Sequence, residues 1–519
     1  EWSPEKMFTR YEHWVEGLQW DWLISRQRSS GIPFPVWYCE DCGEEVIAEK
    51  ADLPVDPLSD DPPVDACPAC GYDEFEPEDD VLDTWATSSL TPLINAGWDW
   101  DEEAEKFTME HPELYQFDLR PQGHDIISFW LFHTLVKCYE HTGEVPFEET
   151  MINGHVLDEN REKMSKSVGN VVEPEAVLEE FPVDATRYWA AGTAVGDDFP
   201  FKEKDLRAGE KLIRKLWNAS KLVESLAPEP FPAEPDDGLR ELDRWLLAEL
   251  DAEVERLTEL LDDRAFSKAR DELRSFFWNT FCDDYLEIAK QREDDAAAYT
   301  LRTAHRRFLK LFAPLLAHVT EELWHDMYAD AVADATGSGD ADRNASSDPT
   351  ALADGAADSI HLTDWPEPLG VEADRDAGTA ATAVVGALRK YKSENQLPLT
   401  ATLDAVEVYA DVRGFEDDIT GVMHVDDLTV HPDGDAPVET VITGIDLDYA
   451  TVGPKYGDQV GDIEAALAQE EYELDGDELH VAGVTLVDDE FAVEEERQYQ
   501  GEGELLQADD IVVIVRNDA

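Results

Sequence analysis

Hydrophobic and polar positions follow two different patterns along the chain. Up to about residue 200, short apolar runs alternate with stretches of helical periodicity. The pattern predicts helices over residues 4–17 and 122–139, the second after a turn, and strands over 22–25, 81–85 and 151–156. Because strands alternate with helices here, we expect a parallel α/β sheet.

Beyond residue 200 the apolar positions keep a helical spacing over longer stretches of the chain. Amphipathic stretches cover residues 206–226, 241–261, 266–291 and 299–328, and they predict a helix bundle. Residues 329–358 are rich in Ala, Asp, Gly and Ser, and predict an acidic disordered loop. A further helix over 372–392 and alternating segments at 405–409 and 511–515 indicate a small α+β domain.

Charge and composition narrow the class of protein. The 519 residues include 119 Asp and Glu against 41 Lys and Arg, for a net charge of −78, yet 43% are hydrophobic, which excludes a wholly disordered chain. Neither a membrane-spanning run nor a secretion signal is present, so we expect a cytoplasmic protein. The acidity is spread along the whole chain, which favours a salt-in halophile, since salt screens such repulsion; an acidic surface for a basic partner would be localised.

Four of the six cysteines occur as two C-x-x-C pairs, Cys39 with Cys42 and Cys67 with Cys70. This spacing is typical of a structural zinc ribbon with four thiolate ligands. Disulfide pairing is the alternative, and the lack of a secretion signal disfavours it. Cys138 and Cys282 lie in apolar, helix-like runs and are expected to be buried core thiols.

One short segment carries the most specific chemistry. Residues 163–167 read Lys163-Met-Ser165-Lys166-Ser167, directly after a predicted strand. Two lysines and two hydroxyls on a flexible loop can neutralise a polyphosphate and donate hydrogen bonds to it; a solvated loop with two unrelated lysines is the alternative. The pentapeptide is identical to the KMSKS signature of class I aminoacyl-tRNA synthetases, and the sequence resembles that family.

Further stretches at residues 22–28, 33–39, 83–89 and 122–126 resemble the catalytic half of the valine, isoleucine and leucine subgroup, and most closely the valine enzymes of archaeal type. The resemblance implies that Gly123 and Asp125 bind the ribose of ATP and of the adenylate. It also implies an amino-acid pocket lined by Trp22, Gln122 and Ile126. From the residues alone, Asp125 could instead cap a helix and Trp22 could be a core aromatic residue.

The resemblance also implies a domain organisation. We expect the second half of an α/β Rossmann-like catalytic core at 1–38 and 81–200, a zinc-ribbon insertion at 39–80, a helical anticodon-binding domain at 201–371 and an α+β domain at 372–519. The His-x-Gly-His signature of the family and its editing domain are missing. We therefore expect a carboxyl-terminal portion that cannot activate valine by itself.

Binding of transfer RNA by so acidic a chain requires local excess of positive charge. Residues 201–221 contain seven basic and three acidic residues, and we expect the tRNA contacts there, although a solvated helix face is the alternative. The candidate contacts are Lys202, Lys204, Arg207, Lys211, Arg214 and Lys215. Two weaker clusters are Arg302, Arg306, Arg307 and Lys310, and Arg389, Lys390 and Lys392.

Together these observations predict a monomeric valine–tRNA ligase that uses ATP with Mg²⁺, valine and tRNA-Val and carries structural Zn²⁺. Lys163, Ser165, Lys166 and Ser167 are the expected catalytic residues, with Lys166 also binding ATP. An isoleucine or leucine ligase is the alternative within the family. A tRNA-binding module that has lost catalysis is the alternative outside it.

Overall fold

The structure is a computed structural model. It describes residues 1–101, 103–104, 106–228, 234–235, 238–329, 359–434, 436–476, 478–487, 489–508 and 510–516. Most of the acidic segment predicted to be disordered, residues 330–358, lies outside this range. The chain forms two compact units, Glu1–Leu212 with Thr258–Asp271, and Ile213–Leu257 with Glu272–Ala519.

A parallel three-stranded sheet lies at the centre of the first unit. Its strands are, in spatial order, Trp2–Ser3, Phe147–Asn153 and Phe117–Gly123. The last two pair from Phe147 opposite Phe117 to Asn153 opposite Gly123, so both end at the same level. Buried Ile127, Leu131, Phe147 and Ile152 form the core on this sheet. A parallel sheet is present as predicted, but of the three predicted strands only 151–156 overlaps it. Ser25–Arg26 and Val81–Leu82, at the other two predicted strands, pair antiparallel with each other.

The remaining strands of the first unit are short. They are Ser25–Arg26, Val36–Cys39, Glu45–Ile47, Phe75–Pro77, Val81–Leu82, Trp98–Asp101, Lys106–Met109, Val156–Leu157 and Phe199–Pro200. The helices that lie wholly within the unit are Lys6–Gly17, Thr84–Ser88, Thr91–Asn95, Phe132–Thr142, Pro174–Glu180 and Val183–Ala190. Single helical turns at Lys50–Asp52, Pro112–Leu114, His124–Ile126 and Ile127–Leu131 complete it.

Helices dominate the sequence that follows. They are Glu203–Leu226, Glu241–Asp262, Phe266–Ser275, Phe276–Tyr285, Leu286–Ala289, Asp295–Phe312, Ala317–Trp324, His325–Ala329, Ile360–Leu362 and Arg375–Glu394. Phe277, Phe281, Phe308 and Phe312 meet in the core of the second unit, with each fully buried. Among the described residues, no helix has the length and apolar character needed to cross a membrane.

Several buried polar groups of the second unit are paired with one another. Arg292 donates two hydrogen bonds of 2.8 Å to the fully buried carboxylate of Asp243, which also accepts one of 2.6 Å from Tyr285. His305 contacts Ser220 and Tyr328 through its two ring nitrogens at 2.7 Å each. Burial lowers the pKa of His305 to about 3, so this imidazole is a neutral part of the core.

The second unit ends in sheets of mixed direction. Val425–Val430, Leu403–Tyr409, Ile511–Arg516 and Glu504–Ala508 form a four-stranded sheet in that order. The remaining strands are Glu439–Leu447, Tyr472–Asp475, Glu478–Val481, Val484–Leu486 and Phe491–Gln498. The helical segments among them are Glu416–Met423, Tyr449–Tyr456, Gly457–Gln459 and Val460–Leu467.

Three sequence-based expectations need correction. The strand predicted over 81–85 ends at Leu82, because Asp83 accepts a hydrogen bond from the backbone N–H of Trp85 and caps a helix. The strand predicted over 22–25 is confined to Ser25–Arg26. The single helix predicted over 299–328 is interrupted between Phe312 and Ala317, where Pro314 has no N–H to continue it.

Candidate functional site

The candidate site begins where the adjacent strands Phe117–Gly123 and Phe147–Asn153 end. Gln122 and Gly123 close one strand, opposite Ile152 and Asn153 of its neighbour. Ligands of open parallel sheets bind outside these carboxyl ends. Gln122 is 5% exposed, and its Oε1 is buried without a hydrogen-bond partner among the described residues. An unpaired buried acceptor at this edge is suited to a polar ligand group.

Asp125 lies two residues beyond the strand and is exposed. In the part of the chain that the structure describes, its carboxylate has no hydrogen-bond partner, and the helical turn His124–Ile126 has no side-chain cap. The alternative role of Asp125 as a helix cap is thus not the one observed. A Cβ added at Gly123 would lie 2.8 Å from the Asp125 Oδ1. Any other residue at position 123 would therefore displace the Asp125 carboxylate.

Lys163–Ser167 lie in a hairpin that follows the strand Val156–Leu157. An antiparallel bridge joins Leu157 to Lys163. Asn170 closes the hairpin: its Oδ1 accepts from the Ser165 N–H at 2.9 Å, and its Nδ2 donates to Asp158 at 2.9 Å and to the Lys163 carbonyl at 3.3 Å. The Asn170 hydrogen bond is the largest influence lowering the pKa of Asp158.

The functional groups of this hairpin face solvent. Lys163 and Lys166 are exposed and form no ion pair with any described residue. The hydroxyls of Ser165 and Ser167 lie 3.0 Å apart, and Met164 packs against a buried apolar cluster beneath. Two free ammonium groups and two hydroxyls on an anchored loop are four groups that can donate hydrogen bonds to an anionic ligand.

Trp22 is held by two residues that sequence reasoning missed. Its Nε1 donates to the Asp83 Oδ2 at 3.1 Å, and its ring stacks on His133 with centroids 3.7 Å apart. Arg26 pairs with the same Asp83 oxygen at 2.5 Å. His133 lies seven residues after the half-buried Ile126, and this spacing would place the two on one face of a continuous α-helix. That was the available signal, although residues 124–131 form 3-10 and π turns before the α-helix begins at Phe132.

The four cysteines of the two C-x-x-C pairs converge. Every pair of their sulfur atoms lies within 4.8 Å, and the Cys39–Cys70 and Cys42–Cys67 sulfurs are 3.6 Å apart. Each pair sits on a tight turn closed by a glycine of positive φ, Gly43 at 73° and Gly71 at 80°. The thiols are free, so the predicted alternative of disulfides is not observed.

The six basic residues of the tRNA-contact prediction differ in their pairing. Arg207 forms ion pairs with Glu180 at 3.1 Å and Glu203 at 3.3 Å. Lys215 pairs with Asp283 at 2.8 Å. The structure assigns no ion pair, among the residues it describes, to the other four. These are Lys202, Lys204, Lys211 and Arg214, the last three of them exposed on the helix Glu203–Leu226.

The two weaker basic clusters are not exposed patches. Arg302 is buried and donates to the Ala227 carbonyl at 2.6 Å, and Lys310 is buried as well. Lys392 is fully buried, and its Nζ donates to the carbonyl oxygens of Leu399, Ala401 and Met423. Arg306 and Arg307 are half-buried and Lys390 is exposed. Helical spacing alone therefore did not separate the buried cations of these clusters from the accessible ones, and a tRNA contact by either cluster stays a prediction.

Comparisons with known proteins agree with this geometry. Residues 1–202 match the family described as tRNA synthetases class I (I, L, M and V), and residues 243–408 match the anticodon-binding domain of tRNA ligase. A valine–tRNA ligase of Haloarcula marismortui is 62% identical over 508 residues, which cover 97% of this chain and 53% of that protein. A valine–tRNA ligase of Methanothermobacter thermautotrophicus is 41% identical over 446 residues, 83% of this chain and 46% of that protein.

The chain spans about half the length of the curated relatives it matches. Among solved structures, it is similar to an Agrobacterium radiobacter K84 agnB2 LeuRS in complex with tRNA and LeuAMS, with a TM-score of 0.48 and 22% identity over 70% of this chain and 46% of that one.

We expect Asn170→Ala to loosen the hairpin without unfolding the unit. The substitution removes three hydrogen bonds, each worth about 1 kcal/mol, so amide hydrogen exchange at Ser165 and Gly169 should accelerate at least tenfold. Asn160→Ala is the matched control, since the Asn160 side chain has no partner among the described residues. Equal exchange rates in the two variants would contradict the anchoring role of Asn170.

Proposed function

Because the chain belongs to the valine–tRNA ligase family, we propose that the complete protein is an ATP-dependent valine–tRNA ligase of which this chain forms about half. In this reaction a carboxylate oxygen of valine attacks the α-phosphorus of ATP, and pyrophosphate leaves. A ribose hydroxyl of tRNA then attacks the carbonyl carbon of the valyl-adenylate, and AMP leaves. ATP enters with Mg²⁺, which accompanies it as part of the substrate.

The observation that carries this proposal is the juxtaposition at the edge of the parallel sheet. An exposed, unpartnered carboxylate, Asp125, follows one strand, and the anchored hairpin with Lys163 and Lys166 follows its neighbour. A carboxylate is suited to both hydroxyls of a ribose. Ammonium groups are suited to the negative charge that develops on pyrophosphate as it leaves.

We assign Lys163, Lys166, Ser165 and Ser167 to the phosphates. Gly123 and Asp125 are assigned to the ribose of ATP and of the adenylate. Trp22, Gln122 and Ile126 are assigned to valine. The fixed position of Trp22, stacked on His133 and bonded to Asp83, supports its role as a rigid apolar wall.

We also propose that the four cysteines bind one structural Zn²⁺. Four thiolates around zinc at about 2.3 Å form a tetrahedron whose sulfur–sulfur edges are roughly 3.8 Å. The two measured separations of 3.6 Å are close to that edge. Four thiolate ligands leave no coordination position for water, so the metal would stabilise the fold of this segment and take no part in the reaction.

The helix Glu203–Leu226 is our candidate tRNA contact. In a chain of charge −78, repulsion of a polyanion is the default. Lys204, Lys211 and Arg214 are exposed cations that no described acidic residue neutralises, so they are available to phosphates. The residues that match an anticodon-binding domain, 243–408, follow this helix in the sequence and support tRNA as a partner of the chain.

The ligase proposal is tested with the complete protein in an ATP–pyrophosphate exchange assay at molar salt. Valine should support exchange, and isoleucine and leucine should not. We expect Lys166→Ala to lower kcat about 10²- to 10³-fold, the usual loss for one transition-state donor. Lys106→Ala, an exposed lysine outside the site, should retain full activity. Exchange without valine specificity, or an active Lys166→Ala variant, would refute the assignment.

Charge reversal tests the tRNA contact. The triple variant Lys204→Glu, Lys211→Glu and Arg214→Glu should bind tRNA more weakly, and the slope of log K against log salt should fall by about one for each phosphate that the variant no longer binds. The control reverses three exposed lysines outside all candidate tRNA contacts, Lys6, Lys50 and Lys106. Equally weakened binding in both triple variants would indicate a general charge effect and argue against a defined tRNA-binding surface.

Metal analysis tests the zinc proposal. The purified protein should contain one Zn²⁺ per chain, and Cys67→Ser should lose it, because a hydroxyl replaces a thiolate ligand. Cys138→Ser is the control, since Cys138 is a buried thiol outside the cluster. If Cys67→Ser and the control retain equal zinc, the metal binds elsewhere.

A further inference from the structure

One histidine at the candidate site is absent from every assignment above. His155 lies two residues beyond Asn153, as Asp125 lies two beyond Gly123, and Asn153 and Gly123 are paired at the ends of adjacent parallel strands. Such strands are about 4.8 Å apart. On its other side, His155 directly precedes Val156–Leu157, and Leu157 bridges to Lys163. His155 is therefore placed between the ribose-binding carboxylate and the phosphate-binding hairpin.

The backbone of His155 is fixed. Its N–H donates to the Asp198 Oδ1 at 2.6 Å, and its carbonyl accepts from the Phe199 N–H at 3.0 Å. A Cβ added at the preceding Gly154 would lie 2.0 Å from the Asp197 carbonyl oxygen, so only glycine permits this close approach. The segment that presents His155 is held on both sides.

The ring of His155 is held as well. The His124 ring contacts it edge to face, with centroids 4.2 Å apart at 72°. His124 is itself fixed, because its Nδ1 lies 3.0 Å from an Arg10 nitrogen and its Nε2 lies 3.1 Å from the Asp198 Oδ1. Since arginine only donates, the Nδ1 of His124 accepts and its Nε2 carries the proton toward Asp198.

The ring nitrogens of His155 have no partner. Across the described residues, no hydrogen bond or ion pair reaches either nitrogen, and the side chain is half-buried. Burial is the largest influence that lowers the pKa of His155, and the charge of Lys163 acts in the same direction, against Asp125 and Asp198. The imidazole is therefore neutral near pH 7, with one N–H to donate.

We infer that His155 is a further nucleotide-contacting residue, whose imidazole N–H donates a hydrogen bond to the phosphate that joins the ribose of ATP, and of the adenylate, to the rest of the ligand. This inference rests on the proposed function. It follows from the position of the unpartnered ring between Asp125 and Lys163. A neutral donor suits this phosphate, because it holds the reacting group in place while the lysines carry the charge compensation.

Three ligands and two variants test the inference on the complete protein by calorimetric titration at molar salt. His155→Phe keeps a planar ring without a donor, and His155→Asn keeps an N–H. We expect His155→Phe to bind ATP and AMP at least tenfold more weakly than the wild type, and His155→Asn to retain most of that affinity. Adenosine, which has no phosphate, should bind all three proteins equally.

Two results would overturn the inference: ATP affinity in His155→Phe within twofold of the wild type, or an equal loss for adenosine, which would indicate ring stacking on the base. His111→Phe, at an exposed histidine outside the site, controls for general effects.

Pyrophosphate exchange separates the two proposals. If the wild type shows no exchange but His155→Phe still binds ATP more weakly, the ligase function alone is refuted. If the wild type is active and His155→Phe binds ATP as tightly as the wild type, this inference alone is refuted.

Discussion

The candidate site depends on the register of two adjacent parallel strands, Phe117–Gly123 and Phe147–Asn153, which end opposite each other. Because Asn153 is opposite Gly123, both strands end at the same edge of the sheet. The polar residues that follow each strand therefore lie close together there. A shift of register by one residue would turn every side chain of a strand to its other face and would separate Asp125 from the hairpin. The buried side chains of Phe147 and Ile152 hold this register through the core beneath.

Charge is the second constraint, because this chain has few cations for its many carboxylates. The structure places these cations in two kinds of environment. Some are buried and fully bonded, such as Arg292 against Asp243 and Lys392 among three carbonyl oxygens, where they order the second unit. Others, such as Lys163 and Lys166, are exposed and unpaired among the described residues. The similarity to a Haloarcula protein agrees with the composition expected of a halophile.

Periodicity predicted the elements better than it predicted their ends or their neighbours. The long helices follow from apolar spacing. The strand Phe117–Gly123 was not predicted, and the helix at Thr84–Ser88 depends on one capping carboxylate, Asp83. The KMSKS segment was recognisable as a motif, but Asn170 and Asp158, which shape it, act through side-chain contacts that no local pattern encodes. The role proposed for His155 could not be predicted for the same reason, because it depends on strand pairing with residues about 30 positions away.

The anchoring of the hairpin by Asn170 has an entropic consequence. A loop of free backbone would lose about 1–2 kcal/mol of conformational freedom per residue when it closes on a ligand. Here Ser165, Lys163 and Asp158 are already hydrogen-bonded to the side chain of Asn170. The backbone of the loop therefore loses this conformational freedom when the protein folds, before any ligand binds. A larger share of the interaction of Lys163 and Lys166 with a polyphosphate can therefore appear as affinity, because only the two lysine side chains remain to be ordered.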